Sequence, residues 1–481
     1  MHMTHDVKEK LIWDVDVGDK LSLVPHRLLQ LGKNKIAVIS ENSSGWCIAD
    51  IDDYLYIKDF FSDKEITFDG QKNDFLKLLW CSDLLKKNGS CLSELIQPTS
   101  PILLVLKLTG DCNFNCSYCY DYSDARVGST IPIDKVKETI SFISSKNRGL
   151  NIVMHGGEPL LHFSLIKEIV EFTVKEVGNA KLTNFFIQTN GSLFNKEVIA
   201  FLDKYNFFVG LSLDGMTEHA NAHRAVKSGA RSCLEIFNKN MAEYGEFLRR
   251  RAGVVCTLSK RNIEEAPKFA LWLQSLGIRG LTISPLIPSG KGAQATKDLV
   301  SPEELIELYG ILIKMVKSKE INSISLESIN KFISSLVQIR ANDLCHANPC
   351  GAAENFLAID SKGNYRACDC VYHDYFLLDN NKTNCVLNKR TKVFSRREHM
   401  KNNACADCAI FGLCGGGCIS EALANTGLTE AIPQRSCKVK KFFYKTLLKE
   451  YAFDKERPLF AYYLRLRDAR NSFNKRKLCD S

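Results

Sequence analysis

The chain has 481 residues, of which 45% are hydrophobic and 25% charged, and its formal net charge is +9. This composition excludes disordered, collagen-like and coiled-coil chains, and the length allows about two to four domains. No run approaches the roughly 18 apolar residues of a membrane span, and the N-terminus lacks the apolar core of a signal peptide. A soluble, cytoplasmic protein without a membrane contact is therefore expected. The basic residues are dispersed rather than striped, which disfavours nucleic acid as a partner.

Residues 1–98 predict a small α+β domain. Its strand-like runs are KLSLV, KIAVIS, WCIADI and YLYIKDF. Helical spacing then follows from about Asp74 to Lys87.

Residues 99–300 predict an α/β domain, because strand-like runs alternate with helical patterns. Six such units in succession imply a parallel sheet that curls into a partial (β/α)6 TIM-like barrel, with functional residues at the carboxyl ends of the strands. The strand-like runs are ILLVLKL, NIVMH, NFFIQT, FFVGLSL, AGVVCTL and GLTISPL. The helical patterns cover Ile133–Ser145, Phe163–Lys175, Lys196–Tyr205, Cys233–Tyr244 and Ile263–Leu276.

Cysteine is unusually abundant in the C-terminal third. Ten of the 19 cysteines lie between Cys345 and Cys437. Disulfide scaffolds are typical of short secreted chains, so clustered cysteines in this long chain favour metal binding. We expect a helical bridge over residues 301–344, a cysteine-rich domain over 345–440 and a helical tail over 441–481.

A CxxxCxxC motif follows the first strand of the α/β domain directly. Cys112, Cys116 and Cys119 place three thiols on one short loop. Three thiolates can hold three corners of a four-iron cluster and leave one iron open to another ligand. The alternative is a zinc site, although zinc favours CxxC pairs and four protein ligands.

With this motif the chain resembles the radical S-adenosylmethionine (SAM) enzymes. Tyr118 supplies the aromatic residue of their cysteine motif, and Gly156-Gly157-Glu158-Pro159 looks like their GGEP segment, which holds the amino group of SAM. The segments from Gln188 and from Ser212, at the ends of the third and fourth predicted strands, also resemble segments of this family. Arg224, which follows, stands where related members carry an arginine. The resemblance implies one [4Fe-4S] cluster on Cys112, Cys116 and Cys119. The implied SAM contacts are Tyr118, Gly156, Gly157, Glu158, Pro159, Gln188, Asn190, Ser212, Asp214 and Arg224.

The later cysteines resemble the seven-cysteine SPASM extension of peptide-modifying radical SAM enzymes. The resemblance implies two auxiliary [4Fe-4S] clusters, hence three in all. Cys345 would complete the ligands of one auxiliary cluster, a position that some relatives leave open. A pair of zinc ribbons is the alternative. The implied ligand sets are Cys405, Cys408, Cys414 and Cys437 for one cluster, and Cys350, Cys368, Cys418 and Cys345 for the other.

Asp369 follows Cys368 directly and is a candidate general base. In sulfatase-maturating relatives an aspartate at this place is proposed to accept the substrate proton; the alternative is a solvated surface aspartate. His155 is expected to pack at a strand end rather than to bind iron. The remaining cysteines are interpreted as structural, with an alternate cluster ligand as the other interpretation of Cys370: Cys47, Cys81, Cys91, Cys233, Cys256, Cys370, Cys385 and Cys479.

The resemblance implies a radical SAM/SPASM peptide maturase. One electron from an external reductant of the flavodoxin or ferredoxin type would cleave SAM, a co-substrate, to a 5′-deoxyadenosyl radical. Hydrogen abstraction from a ribosomally made precursor would then lead to an oxidative cross-link, either a carbon–carbon cyclophane or a thioether. Two alternatives are an anaerobic sulfatase-maturating enzyme that forms Cα-formylglycine and a non-catalytic iron–sulfur scaffold.

The N-terminal domain bears on the choice of substrate. Many maturases of this kind carry a winged-helix-like module (RRE-like) that binds the leader of the precursor at a strand edge. Residues 1–98 are compatible with such a module. A stabilising cap or a dimerisation element is the alternative.

Overall fold

The structure is a computed structural model of the chain. Among the residues that it describes, no helix has both the length and the apolar character needed to cross a membrane. The described residues are 15–62, 64–70, 74–95, 101–146, 149–177, 183–227, 231–337, 345, 350–378 and 399–478.

The N-terminal region folds into a small α+β domain with two sheets. Its strands are β1 (Lys20–Leu23), β2 (His26–Gln30), β3 (Lys35–Ser40), β4 (Trp46–Asp50), β5 (Ile66–Thr67), β6 (Leu85–Lys87) and β7 (Ser90–Cys91). Its helices are α1 (Ile51–Phe61), α2 (Asp74–Cys81) and α3 (Leu92–Leu95). One sheet has the order β5-β1-β6-β7, and the other is the antiparallel meander β2-β3-β4. The winged-helix likeness of this domain stays a prediction.

Two elements of this domain differ from the sequence prediction. The run YLYIKDF is helical and belongs to α1, where Ile57 and Phe61 are buried one turn apart. The predicted helix around 74–87 is wrong beyond Cys81: Asp83 adopts a left-handed conformation (φ 58°), and Leu85–Lys87 pairs with β1 instead. A short apolar run fits either a helix or a strand, and its tertiary partners decide between them.

The α/β domain is built on a parallel sheet, which confirms the predicted α/β class. The partial (β/α)6 barrel stays a prediction. Strands β8 to β13 are consecutive neighbours in the sheet, and β14 pairs in parallel with β13. Their bounds are β8 (Ile102–Lys107), β9 (Leu150–His155), β10 (Thr183–Thr189), β11 (Phe208–Ser212), β12 (Ala252–Leu258), β13 (Gly280–Pro285) and β14 (Ser325–Leu326).

The helices between these strands lie close to their predicted positions. Helix α7 runs on to Arg251, beyond the predicted end at Tyr244, and Tyr244 itself marks a kink with non-helical backbone (φ −128°, ψ 21°). The helices are α4 (Ile133–Ser145), α5 (Phe163–Val177), α6 (Lys196–Lys204), α7 (Cys233–Arg251) and α8 (Ala266–Ser275).

The cysteine-rich region continues the sheet of the α/β domain. Strand β15 (Phe356–Ile359) pairs in parallel with β8, and β16 (Tyr365–Arg366) pairs antiparallel with β15. The first strand of the α/β domain is therefore an inner strand, flanked by β9 and β15. This pairing brings the residues that follow β16 to the carboxyl end of β8.

The helices that follow the parallel sheet in the chain pack on one another. Helices α9 (Pro302–Lys317) and α10 (Glu327–Val337) form the described part of the predicted bridge; residues 338–344 of that bridge lie outside the described chain. The ring of Phe332 stacks on Phe443 with centroids 4.2 Å apart. The other helices are α11 (Phe411–Cys414), α12 (Ile419–Thr426), α13 (Gln434–Phe453) and α14 (Pro458–Leu478).

Candidate functional site

The three cysteines of the CxxxCxxC motif lie on the loop that follows β8. The backbone holds this loop in place: Asn115 N donates to Ala225 O at 2.7 Å, and Ser117 N donates to His223 O at 3.0 Å. The loop therefore packs against the segment that follows β11. All three thiols are partly buried.

These thiols fit an iron–sulfur cluster better than a single metal ion. Burial raises the pKa of Cys112 to about 12 and that of Cys116 to about 11, so binding a metal must displace their protons. In the part of the chain that the structure describes, the three sulfur atoms of this motif do not all lie within 4.8 Å of one another. At least one pair of these thiols is therefore farther apart than the about 3.8 Å between two thiolates on one tetrahedral zinc ion, a spacing that the larger four-iron cube accommodates.

Two glycines press the GGEP segment against the base of this loop. Gly156 and Gly157 have φ of 85° and 52°, a backbone region that favours glycine. A Cβ on Gly157 would lie 1.9 Å from the carbonyl oxygen of Asp111, the residue before Cys112. Glu158 N donates to the same oxygen at 2.9 Å. The segment after β9 therefore fixes the start of the cysteine loop.

The Glu158 carboxylate is buried among hydrogen-bond donors. It accepts from Thr189 Oγ1 at 2.7 Å, from Asn190 N at 2.8 Å and from Leu160 N at 3.2 Å. Burial raises the pKa of Glu158 to about 7 in spite of these hydrogen bonds. Glu158 ties the end of β9 to the end of β10, and a contact with the amino group of SAM stays a prediction.

Asp214 and Arg224 form a buried ion pair beside Tyr118. Arg224 Nε lies 3.0 Å from Asp214 Oδ2, and the Tyr118 hydroxyl donates to the same oxygen. Asp214 Oδ1 accepts from Thr257 N at 2.8 Å. Asp214 and the neighbouring tyrosine raise the pKa of Arg224 although burial opposes them, so the guanidinium is charged. These residues brace one another, and their contacts with SAM stay predictions.

The other predicted SAM contacts lie at the same edge of the sheet. Gln188 Nε2 donates to Ser212 Oγ at 2.9 Å, which joins the ends of β10 and β11. Asn190 Nδ2 donates at 2.9 Å to Asn113 Oδ1 in the cysteine loop. Pro159 begins a short 3-10 helix over Pro159–His162.

A buried charge cluster at the end of β8 links this site to the cysteine-rich region. Lys107 Nζ lies 3.1 Å from Asp121 Oδ1 and 3.4 Å from Asp369 Oδ2. It also lies 3.3 Å from His155 Nδ1 and 3.4 Å from the Tyr120 hydroxyl. Burial lowers the pKa of Lys107, but Asp121, Tyr120 and Asp369 outweigh it and hold the pKa well above its usual range. The candidate base Asp369 thus pairs with a charged lysine and is not a solvated surface group.

Three cysteines of the first auxiliary set lie near one another. Electrostatic contacts link Cys350 with Cys368 and Cys418. Cys370 lies beside Cys368, and ligand atoms of Cys368, Asp369 and Cys370 lie within 4.8 Å of one another. A hydrogen bond from the Cys370 thiol lowers the pKa of Cys368.

Cys345 is exposed, and electrostatics link it to Cys370. Cys345 and Cys370 are therefore the two candidates for the fourth ligand. Whether Cys345 fills that place stays a prediction.

The second auxiliary set surrounds the start of α13. Cys437 lies in the first turn of α13, in electrostatic contact with Cys408 and Cys414. Cys408 N donates to Cys405 O at 3.1 Å, which makes a tight turn of the CxxC segment. The structure thus brings Cys408, Cys414 and Cys437 together, and the ligand set itself stays a prediction.

The cysteines interpreted as structural are buried where the structure describes them, except Cys370, which is half-buried beside Cys368. Cys385 and Cys479 lie outside the described residues. The buried ones are Cys47, Cys81, Cys91, Cys233 and Cys256.

With this geometry in place, comparison with known proteins identifies the α/β domain. Residues 106–283 match the Radical SAM superfamily. The chain contains a radical SAM domain. This match confirms the prediction of a radical SAM enzyme, and the family implies a [4Fe-4S] cluster and SAM.

Three relatives match this chain over different lengths. The mycofactocin maturase MftC of Mycobacterium tuberculosis is 28% identical over 345 residues, which is 70% of this chain and 83% of that protein. A serine-type anaerobic sulfatase-maturating enzyme of Klebsiella pneumoniae is 22% identical over 67% of this chain and 83% of its own length. An uncharacterized protein of Methanocaldococcus jannaschii is 27% identical over 39% of this chain, which spans only 64% of that relative's length.

Two solved structures share the fold. The enzyme anSMEcpe with bound AdoMet aligns with a TM-score of 0.62 at 18% identity, over 73% of this chain and 97% of that one. Streptococcus suis SuiB bound to the precursor peptide SuiA aligns with a TM-score of 0.50 at 14% identity, over 87% of this chain and 99% of that one.

Sequence reasoning missed the charge cluster around Lys107. Lys107 ends an apolar strand, and a lysine there is normally read as the point where the strand reaches solvent. The adjacent Tyr120-Asp121 pair carried a signal, because polar residues after a cluster-type cysteine motif lie at the mouth of the sheet. The partner Asp369 is more than 200 residues away in the chain, and only the pairing of β15 with β8 brings the two together.

Proposed function

We propose that this protein is a radical SAM/SPASM peptide maturase that forms an oxidative cross-link in a ribosomally made precursor. The proposal rests on one observation: Asp369 meets Lys107 at the carboxyl end of β8, 3.4 Å away. The cysteine-rich region is thereby joined to the edge of the sheet that carries Cys112, Cys116 and Cys119. An auxiliary cluster in the cysteine-rich region could then accept electrons from a substrate that is oxidised at this edge of the sheet.

The chain's own residues have distinct parts in this proposal. Cys112, Cys116 and Cys119 would hold the first cluster, and the segments that end β9 to β11 would position SAM. When bound, the cluster and SAM supply the 5′-deoxyadenosyl radical that abstracts hydrogen from the substrate. Asp369 would accept the proton that the oxidised substrate loses, and Lys107 would hold the carboxylate in place. The two auxiliary sets would each hold a [4Fe-4S] cluster and pass the electron on.

We further propose that the N-terminal domain binds the leader of the precursor. The strands β2 and β4 form the two edges of the described meander β2-β3-β4. A peptide added to such an edge would be held by main-chain hydrogen bonds, and its core segment would be kept at high effective concentration on the same chain as the radical SAM domain.

The test is incubation of the reconstituted, reduced protein with SAM and candidate precursor peptides encoded by small reading frames beside its gene. We expect stoichiometric 5′-deoxyadenosine and a product that is lighter by two hydrogens. The Asp369→Asn variant should still cleave SAM but yield far less product per 5′-deoxyadenosine. SAM cleavage without any loss of mass from every precursor would contradict an oxidative cross-link.

The second candidate function is formylglycine formation in a sulfatase, because a sulfatase-maturating enzyme is among the relatives. A sulfatase-derived Cys or Ser peptide provides the test. Oxidation of that peptide, with no reaction of leader-bearing precursors, would favour this second function over the first.

A further inference from the structure

An arginine of the N-terminal domain reaches into the second auxiliary site. Arg27 lies on β2, and its Nη1 donates to Cys405 O at 2.6 Å and to Cys408 O at 3.1 Å. These carbonyls belong to the CxxC segment of the proposed ligand set. The guanidinium also stands over the Phe411 ring, 5.3 Å from its centroid. One side chain thus fixes the turn that carries two of the four thiols.

The arginine belongs to a small charged group that is largely shielded from water. Arg27 Nε lies 3.0 Å from Glu41 Oε1, and Lys401 Nζ lies 3.0 Å from Glu41 Oε2. The Arg27 side chain is 12% exposed. Two cations and one carboxylate leave one net positive charge beside the cysteines.

Close packing around this contact fixes the N-terminal domain against the C-terminal third of the chain. A Cβ on Gly412 would lie 1.7 Å from Ser40 O at the end of β3, so only glycine fits where α11 meets that strand. Trp46 Nε1 donates to Leu336 O at 2.9 Å, and its ring meets Tyr451 edge-on. The N-terminal domain is therefore seated on the cysteine-rich region and on the helices behind it.

We propose that Arg27 is a positioning residue of the second auxiliary cluster, and that the N-terminal domain is thereby a structural part of that site. The arginine would act in two ways: its hydrogen bonds fix the Cys405–Cys408 turn, and its charge stabilises the reduced, more negative form of the cluster. This inference rests on the auxiliary clusters of the proposed function.

The experiment measures the reduction potentials of the auxiliary clusters by EPR-monitored titration of the full chain. Replacing Cys112, Cys116 and Cys119 by alanine throughout removes the signal of the first cluster. On this background we compare Arg27→Gln, Arg27→Lys and Glu41→Gln. Lys35→Gln is the matched control, because Lys35 pairs with Asp50 (3.1 Å) on the surface of the same domain.

A merely structural role and an electrostatic one give different results. We expect Arg27→Gln to lower the potential of one auxiliary cluster, with an about tenfold drop in its reduced-to-oxidised ratio, or about 59 mV for one electron. Glu41→Gln should raise the same potential, Arg27→Lys should lie near the parent, and Lys35→Gln should change nothing. Loss of one cluster's iron in Arg27→Gln alone would also support the positioning role.

Other results overturn the inference. Unchanged potentials and iron content in Arg27→Gln contradict it, as do shifts of the same sign in Arg27→Gln and Glu41→Gln. If the parent binds no auxiliary cluster at all, the proposed function fails together with the inference. If the parent binds both clusters and Arg27→Gln behaves like Lys35→Gln, only the inference fails.

Discussion

At the scale of single residues, the site is built from buried charges that neutralise one another. Lys107 faces Asp121 and Asp369, and Arg126 Nη1 adds a second cation 3.2 Å from Asp121. A buried ion is tolerated only while its partner is present, because an unpaired charge keeps the full cost of leaving water. Each member is therefore held in place by the others, whether or not a cluster is bound.

Replacing Lys107 by methionine should destabilise the protein by about 3–5 kcal/mol, because the buried Asp121 and the partly buried Asp369 lose their common partner. Lys137→Met is the control, since Lys137 pairs with Glu168 at the surface and such pairs contribute less than about 1 kcal/mol. Urea unfolding of the two variants measures the difference. Equal stability of Lys107→Met and the parent would contradict the buried network.

His155 predicts a pH dependence of stability. Burial, with Lys107 beside the ring, lowers the pKa of His155 to about 4, whereas the unfolded histidine titrates near 6.5. Between these values the unfolded chain binds a proton that the folded chain does not, so stability should rise with pH from about 4 to 6.5. The contribution of this residue is roughly 3 kcal/mol.

The measurement is the free energy of unfolding at several pH values for the parent and His155→Gln. In His155→Gln the free energy of unfolding should rise less between about pH 4 and 6.5, because the proton of His155 no longer contributes. His219→Gln, at an exposed position, should follow the parent. An identical pH profile of His155→Gln and the parent would show that His155 is not buried in the neutral form.

At the scale of elements, the loop that carries the first three thiols depends on a neighbouring turn. The turn after β9 approaches Asp111 so closely that a side chain at Gly157 has no room. The conformation of the cysteine loop therefore depends on the glycines that follow β9 as well as on the cysteine motif itself.

Gly157→Ala should therefore disturb the cysteine loop. We expect loss of about 4 iron atoms per chain, because the first cluster needs all three thiols in place, and a lower free energy of unfolding. Gly310→Ala is the matched control: Gly310 lies inside α9 with no atom within 4 Å of the added Cβ, so alanine should stabilise this helix by up to about 1 kcal/mol. Normal iron content in Gly157→Ala would contradict the role of this turn.

At the scale of the whole molecule, one sheet joins the radical SAM domain and the cysteine-rich region. Strand β15 adds directly to β8, so the two regions share backbone hydrogen bonds rather than a flexible linker. The N-terminal domain is seated on the same body through Arg27 and Trp46. The three proposed cluster sites are thus held at fixed mutual positions, as an electron path requires.

The count of metal atoms tests this arrangement. Three [4Fe-4S] clusters predict about 12 iron atoms per chain after anaerobic reconstitution, about 8 in the Cys112/Cys116/Cys119→Ala variant and about 8 in Cys408/Cys414→Ala. Iron and zinc are measured together by elemental analysis, with Cys47→Ala as a control at a buried cysteine outside the clusters. Stoichiometric zinc with only 4 iron atoms would favour zinc ribbons in the cysteine-rich region.

The sequence by itself determined the order of βα units and the α/β class with a parallel sheet. Strand and helix periodicity and the cysteine spacing are local signals, so α4 could be predicted from Ile133 to Ser145 as it is found. The wrong strand at YLYIKDF shows the limit of such signals, since Ile57 and Phe61 find their burial only against the rest of the domain.

Tertiary structure alone decided which distant residues meet. The contacts of Lys107 with Asp369 and of Arg27 with Cys405 join residues more than 200 positions apart, and nothing local in the chain encodes such a pair. They arise because β15 selects β8 as its neighbour and because the β2-β3-β4 meander finds a matching surface beside α11. Burial of a charge is a property of the assembled molecule, so its partner and its pKa follow only from the fold.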